Sequence, residues 1–258
     1  MSRNVLRKDV ILPLLIVGAL FGASQDFWRK WFMNNSINEL RVYFPLLPKI
    51  PDPANIKNTG QWYLLGHISS GLAKFNHVKG RFEPLLAQHE TYSSGVHTFV
   101  LSKDAKFSDG TKITAGDVAA SLKRLIILKS STHFPMWDYI EGCSTLAVLS
   151  DECSGLRVIS EQKLEIRLKQ KAESFLLQMS SPETGIWAES DINANDPKLA
   201  ITPTKYSGSY FIKTFSEKEG FVLEKNIYNP IAQEFTDAPK KIMIPMLKSD
   251  QVLDELKN

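Results

Sequence analysis

The sequence is poor in side chains that perform covalent or metal chemistry. It holds two cysteines and five histidines in 258 residues. His67, His77, His89, His97 and His133 are scattered, with no His-Glu-x-x-His pattern and no metal-ligand spacing. A Gly-x-Ser-x-Gly elbow is missing: Gly66 to Gly71 reads GHISSG inside an expected helix, not at a strand-to-helix turn. No glycine-rich loop is placed to cradle a phosphate. The 31 basic residues nearly balance the 28 acidic ones, for a net charge of +3. No basic stripe interleaved with aromatics occurs, so nucleic acid is not an expected partner. An enzyme would lack a nucleophile–base pair, and no catalytic residue, cofactor or metal is expected. What is present is an ordinary globular composition, 43% hydrophobic and 23% charged, long enough for a sizeable core in one or two domains.

A run long enough for a comfortable membrane span, ~20 apolar residues, is absent too. The apolar stretch from Val10 to Ala23 is shorter and follows Arg3, Arg7 and Lys8. That order suits a secretory signal peptide over residues 1–24, with Gly22 and Ser24 as small residues before a cut at Gln25. The alternative is an uncleaved N-terminal anchor, and either reading exports the rest. No cysteine follows the run to carry a lipid. In an oxidising compartment Cys143 and Cys153 are expected to form a local disulfide, since the spacing is wrong for zinc and no histidine lies close by in sequence. Residues 25–38, QDFWRKWFMNNSIN, read as an aromatic, basic leader beside the membrane.

The richest local pattern runs from Val96 to Lys129. Val96 to Ser102 alternates as a strand, with His97, Phe99 and Leu101 on one side. Ser108-Asp109-Gly110 supplies turn chemistry, and a short strand follows. Thr114-Ala115-Gly116-Asp117 predicts a capping box, after which Val118, Leu122 and Leu125 form one buried helical face. Lys123, Arg124 and Lys129 fall toward the C-terminal end of that helix.

Elsewhere, residues 39–44 read as a first strand, leading into a proline-rich loop that closes at Ile50-Pro51-Asp52-Pro53. Residues 60–72 suit a helix with Trp62, Leu65, Ser69 and Leu72 on one side. Residues 155–160 and 164–168 form a hairpin with Leu164, Ile166 and Leu168 facing inward. A short helix is expected over 173–180, strands over 208–212 and 221–226, a strand through Ile242, Ile244 and Met246, and a helix over 250–257.

The stretch FVLSKDAKFSDGTKITAGDVAASLKRL resembles the pattern of the extracellular solute-binding proteins of family 5, the peptide and nickel type that feed ABC importers. Ser102 and Lys112 stand where that pattern has arginine and proline. Ile50 to Pro53, Gly71-Leu72, residues 82–88, the 155–168 hairpin, and Gly208, Tyr210, Leu223, Asn226 and Tyr228 continue the resemblance in order. It implies an α/β fold of the periplasmic binding protein-like II class, cluster C type, in which a first lobe carries an inserted α/β subdomain. Residues 39–75 and 171–258 would form that lobe and residues 76–170 the insertion, with the second lobe absent. Cleft walls are then expected at residues 44–49 and 132–139, where Leu46, Leu47, His133, Phe134 and Trp137 would meet the ligand. The implied partners are an oligopeptide or similar small solute and the importer's permease, at a periplasmic location. No oligomeric state is implied. An interaction module or remnant that has stopped binding solute is the alternative.

Overall fold

The computed structural model describes residues 38–44, 51–53, 56, 58–91, 95–129, 139–170, 172, 174–192, 196–198, 200, 201 and 203–246. The first described element is a short strand, β1 (Glu39–Arg41), and Pro51–Pro53 precede helix α1 (Thr59–Ile68). Asn58 caps α1, its Oδ1 accepting from the Gln61 N–H at 2.9 Å. The helix stops four residues before the expected Leu72. Ser69 is already extended, and the Ile68 carbonyl accepts from the Gly208 N–H at 3.1 Å. Its inner face is also rotated from the expected one: Leu64, Leu65 and Ile68 are fully buried, whereas Trp62 is 38% exposed.

A hairpin that the sequence pattern did not announce follows, β2 (Ala73–Asn76) with β3 (Arg81–Pro84), closed through Gly80 at φ +62°. Strands β4 (Ala87–Thr91) and β5 (Val96–Leu101) then pair antiparallel. The 108–110 turn forms as its chemistry requires. Gly110 takes φ +84°, and the Thr111 N–H donates to Asp109 Oδ1 at 2.9 Å. Lys106 and Lys112 bridge across it.

Helix α2 (Ala115–Leu128) starts on the predicted box. The Asp117 N–H donates to Thr114 Oγ1 at 3.2 Å, and the Thr114 N–H donates to Asp117 Oδ2 at 2.8 Å. Val118 and Leu122 are fully buried. Strands β6 (Leu156–Ser160) and β7 (Lys163–Arg167) form the expected hairpin, with Leu164 and Ile166 buried and Arg167 exposed. They complete a sheet of order β4-β5-β7-β6, with α2 against β6 and β7. A disulfide joins Cys143 to Cys153, with Cα atoms 4.7 Å apart.

Helix α3 (Phe175–Gln178) is half the expected length. Strands β8 (Tyr210–Ser216) and β9 (Gly220–Lys225), helix α4 (Pro230–Glu234) and strand β10 (Lys241–Ile244) finish the described chain. The expected 250–257 helix lies outside the described residues. The second four-stranded sheet has order β1-β10-β9-β8, in which β1 runs parallel to β10 and the other pairs are antiparallel.

Candidate functional site

Leu46, Leu47, His133, Phe134 and Trp137 all lie outside the described residues. Phe44 and Tyr139 border these two stretches among the described residues. Phe44, where the first loop departs, stacks on Tyr63 of α1 at 5.7 Å and 14°. Trp62 meets Tyr63 edge-on at 5.6 Å. Both α1 rings are substantially exposed, Tyr63 at 47%. Phe44 and α1 thus share an aromatic surface that the sequence pattern had turned partly inward. On the other flank Tyr139 is half-buried and its carbonyl accepts from the Lys169 N–H at 2.9 Å. Ile140 bridges to Leu168, tying this return to the end of β7.

Asp52, just after residues 45–50, is held by α2. Arg124 of α2 donates from Nη1 and Nη2 to the two Asp52 carboxylate oxygens at 2.8 and 2.7 Å. Its Nε donates to the Pro197 carbonyl at 3.0 Å, and the Ile201 N–H reaches Asp52 Oδ2 at 3.4 Å. The Arg124 side chain is 2% exposed and that of Asp52 9%. A planar guanidinium answers a carboxylate two bonds at a time, the geometry that best offsets the loss of hydration. Sequence reasoning placed Arg124 with the cations at the end of α2 and missed this clamp. The available signal was its position three residues after Ser121, on the flank of the apolar stripe.

The residues that carried the resemblance are mostly joints. The Ser108 N–H donates to the Tyr206 carbonyl at 2.9 Å, and the Tyr206 N–H returns to Ser108 Oγ at 3.2 Å. A Cβ on Gly110 would come within 3.2 Å of the Tyr228 ring, over which Lys106 Nζ sits at 5.5 Å. Asn226 Nδ2 donates to the Gly208 carbonyl at 2.8 Å, while the Tyr210 hydroxyl donates to that of Pro239 at 2.7 Å. Burial, reinforced by the Asp191 carboxylate, pushes the Tyr206 phenol up to about 12, so it stays a neutral donor to the Pro203 carbonyl.

Two further features come together in space. His89 Nε2 and His97 Nδ1 are 3.0 Å apart, with the rings near parallel at 17°. Phe99 and Phe175 pack on the pair, at 4.8 Å from His89 and 4.6 Å from His97. Among the described residues, no group of three or more His, Cys, Asp or Glu could hold a metal ion. The second feature is a groove of about 640 Å³ between α1, β2 and residues 177–183, with Trp62, Phe75 and Leu177 among its walls.

Residues 81–251 match the family described as bacterial extracellular solute-binding proteins, family 5, in its middle region. The dipeptide-binding protein DppE of Bacillus subtilis strain 168 is 24% identical over 231 residues, covering 79% of this chain and 42% of that protein. The periplasmic oligopeptide-binding protein OppA of Escherichia coli K12 is 24% identical over 216 residues, covering 72% and 38%. Among solved structures, Listeria monocytogenes OppA bound to peptide superposes with a TM-score of 0.71 at 17% identity, over 85% of this chain and 45% of that one. The fold is therefore the mixed α/β fold of the periplasmic peptide-binding proteins, matched over part of their length. The chain spans about two-fifths of the length of these curated relatives.

Proposed function

The chain belongs to the bacterial extracellular solute-binding proteins, family 5, and from that premise we propose that it binds a peptide or similar small solute and delivers it to the permease of an ABC importer. The family match across residues 81–251 carries this reading. The names of two relatives, a dipeptide-binding and an oligopeptide-binding protein, favour a peptide as the solute. Such a protein needs no catalysis. Specificity comes from cleft shape and a few hydrogen bonds.

The proposed walls are residues 44–49 and 132–139, with Leu46, Leu47, His133, Phe134 and Trp137 toward the ligand. The half-buried Phe44, stacked on the exposed Tyr63, supports an aromatic lining beside the first of them. The proposed lobe takes residues 39–75 and 171–258, and the insertion residues 76–170. One four-stranded sheet drawing its strands from both ends of the described chain, and the other four-stranded sheet drawing its strands from 87–167, support that division. The Cys143–Cys153 disulfide and the apolar N-terminal run support export to an oxidising compartment.

Thermal-shift measurements on the mature chain against pools of dipeptides to pentapeptides test the proposal. A ligand that binds only the folded state, at 100 times its Kd, adds about 2.7 kcal/mol and must raise the melting temperature. A flat response to every pool overturns peptide binding by this chain.

A further inference from the structure

The β4–β5 register sets His89 diagonally across from His97, on the same face of the sheet. His89 Nε2 and His97 Nδ1 are 3.0 Å apart, and the ring planes differ by 17°. The ring centroids are 5.2 Å apart, close to that gap plus the two ring radii. The rings therefore lie edge to edge, and the two nitrogens meet nearly head-on. One hydrogen sits between them, carried by one ring and accepted by the other.

Head-on nitrogens are what a linear, two-coordinate metal ion requires. An imidazole–metal bond is about 2 Å long, so an ion in line needs the nitrogens about 4 Å apart. An opening of about 1 Å makes that room. His89 can supply it, being half-buried on the edge strand of its sheet. His97 is the fixed side, 9% exposed and packed on Phe175 at 4.6 Å.

Ligand number and charge select the ion. Among the described residues the pair is not joined by a third His, Cys, Asp or Glu, so an ion that wants four ligands, such as zinc, is poorly served. Glu90 follows His89 in β4, and its side chain leaves from the opposite face. Phe99, 4.8 Å from His89, and Phe175 are both fully buried. Aromatic surroundings tolerate one positive charge better than two. Both cysteines of the chain are joined in the Cys143–Cys153 disulfide, so no thiol competes for a soft ion.

We propose that His89 and His97 form a site for a closed-shell monovalent metal ion, copper(I) or its analogue silver(I), held in line between the two facing nitrogens. The hydrogen now between the rings moves to the far nitrogen of its own ring. Two nitrogen–metal bonds form, one hydrogen bond is lost, and no net proton is released. The site shares no residue with the proposed solute cleft.

Calorimetric titration of the full chain with silver nitrate, in chloride-free buffer at neutral pH, tests it. Silver(I) needs no reductant, so the disulfide stays intact. One equivalent binds with a Kd below about 10 µM. His89→Phe and His97→Phe each weaken it by at least about a hundredfold, the upper end of what even a supporting group is worth to a metal site. His77→Ala, at an exposed histidine, leaves it unchanged. Zinc(II) binds at least about tenfold more weakly than silver(I). In nitrogen NMR of the histidine rings, the His89 and His97 signals move and the others stay. No uptake at about 1 mM silver(I), uptake unchanged in both phenylalanine variants, or zinc(II) binding as tight as silver(I) each overturns the site. If a variant fails to fold, the ring signals of the unmodified chain decide, and movement at other histidines instead of these two overturns it.

Discussion

Arg124 shows how far one side chain can govern a loop. Its guanidinium holds Asp52 and the Pro197 carbonyl together beneath the surface, joining three points far apart in the chain. Arg124→Ala leaves a buried carboxylate without its cation and is expected to cost about 3–5 kcal/mol in urea unfolding. The double change Arg124→Met with Asp52→Leu is expected to recover most of that loss, since no charge is then stranded. The histidine pair makes a pH prediction. Burial first, and then the His89 ring, push His97 down to about 4; burial lowers His89 as well, with Glu90 acting in the opposite direction. In the unfolded chain His97 titrates near 6.5. Between those values the unfolded state binds more protons, so stability is full above pH 6.5 and falls as the pH drops toward 4. Partial solvation limits the loss to about 1–2 kcal/mol. Urea midpoints at pH 7.5, 5.5 and 4.5 should show the decline, and His97→Phe should flatten it. Neither pair was legible in the sequence. Asp52 and Arg124 are 72 residues apart, and His89 meets His97 only through the β4–β5 register.

At the scale of elements, what could be read was what is local. The 108–117 stretch carries its own instructions: an Asp-Gly turn, then a threonine and an aspartate that close the first turn of α2 on each other. Thr114→Ala is expected to cost about 1 kcal/mol, and Thr114→Ser distinctly less, by chemical denaturation. Asp117→Ala should cost more than either, because Asp117 Oδ1 also accepts from the Glu189 N–H at 2.8 Å. The reading of α1 went astray for the opposite reason. Its C-terminal limit is set by the Gly208 N–H on the Ile68 carbonyl and its inner face by packing on β8 and residues 182–184, while just beyond it a Cβ on Gly71 would collide with the Met179 carbonyl. The β2–β3 hairpin escaped notice because its strands, AKFN and RFEP, are partly exposed on both sides and lack a strong alternation. Of the candidate site, residues 44–49 and 132–139 were named by resemblance alone, and the groove beside α1 came only with the packing.

For the whole molecule, the decisive junction is a buried polar cluster where distant segments meet. Asn229 Nδ2 donates to Ser70 Oγ at 3.1 Å and to the Ser207 carbonyl at 2.8 Å, while its Oδ1 accepts from the Ile231 and Ala232 N–H groups. The Ser70 N–H donates to Ser207 Oγ, and that hydroxyl donates to the Ile186 carbonyl. Asn229→Ala strands several of these groups and is expected to cost about 3 kcal/mol, more than any exposed contact, with one cooperative unfolding transition retained.

The parallel pairing of Glu39 with Lys241 sets an order of events in time. These two residues are 202 apart, so the first described strand waits for the last described one before it has a neighbour. Closing so long a loop costs entropy before any contact repays it, which slows this step relative to the hairpins within the chain. A chain cut before Lys241 leaves the Glu39–Arg41 strand without the neighbour it pairs with, so that strand is the last of the described ones to find its place.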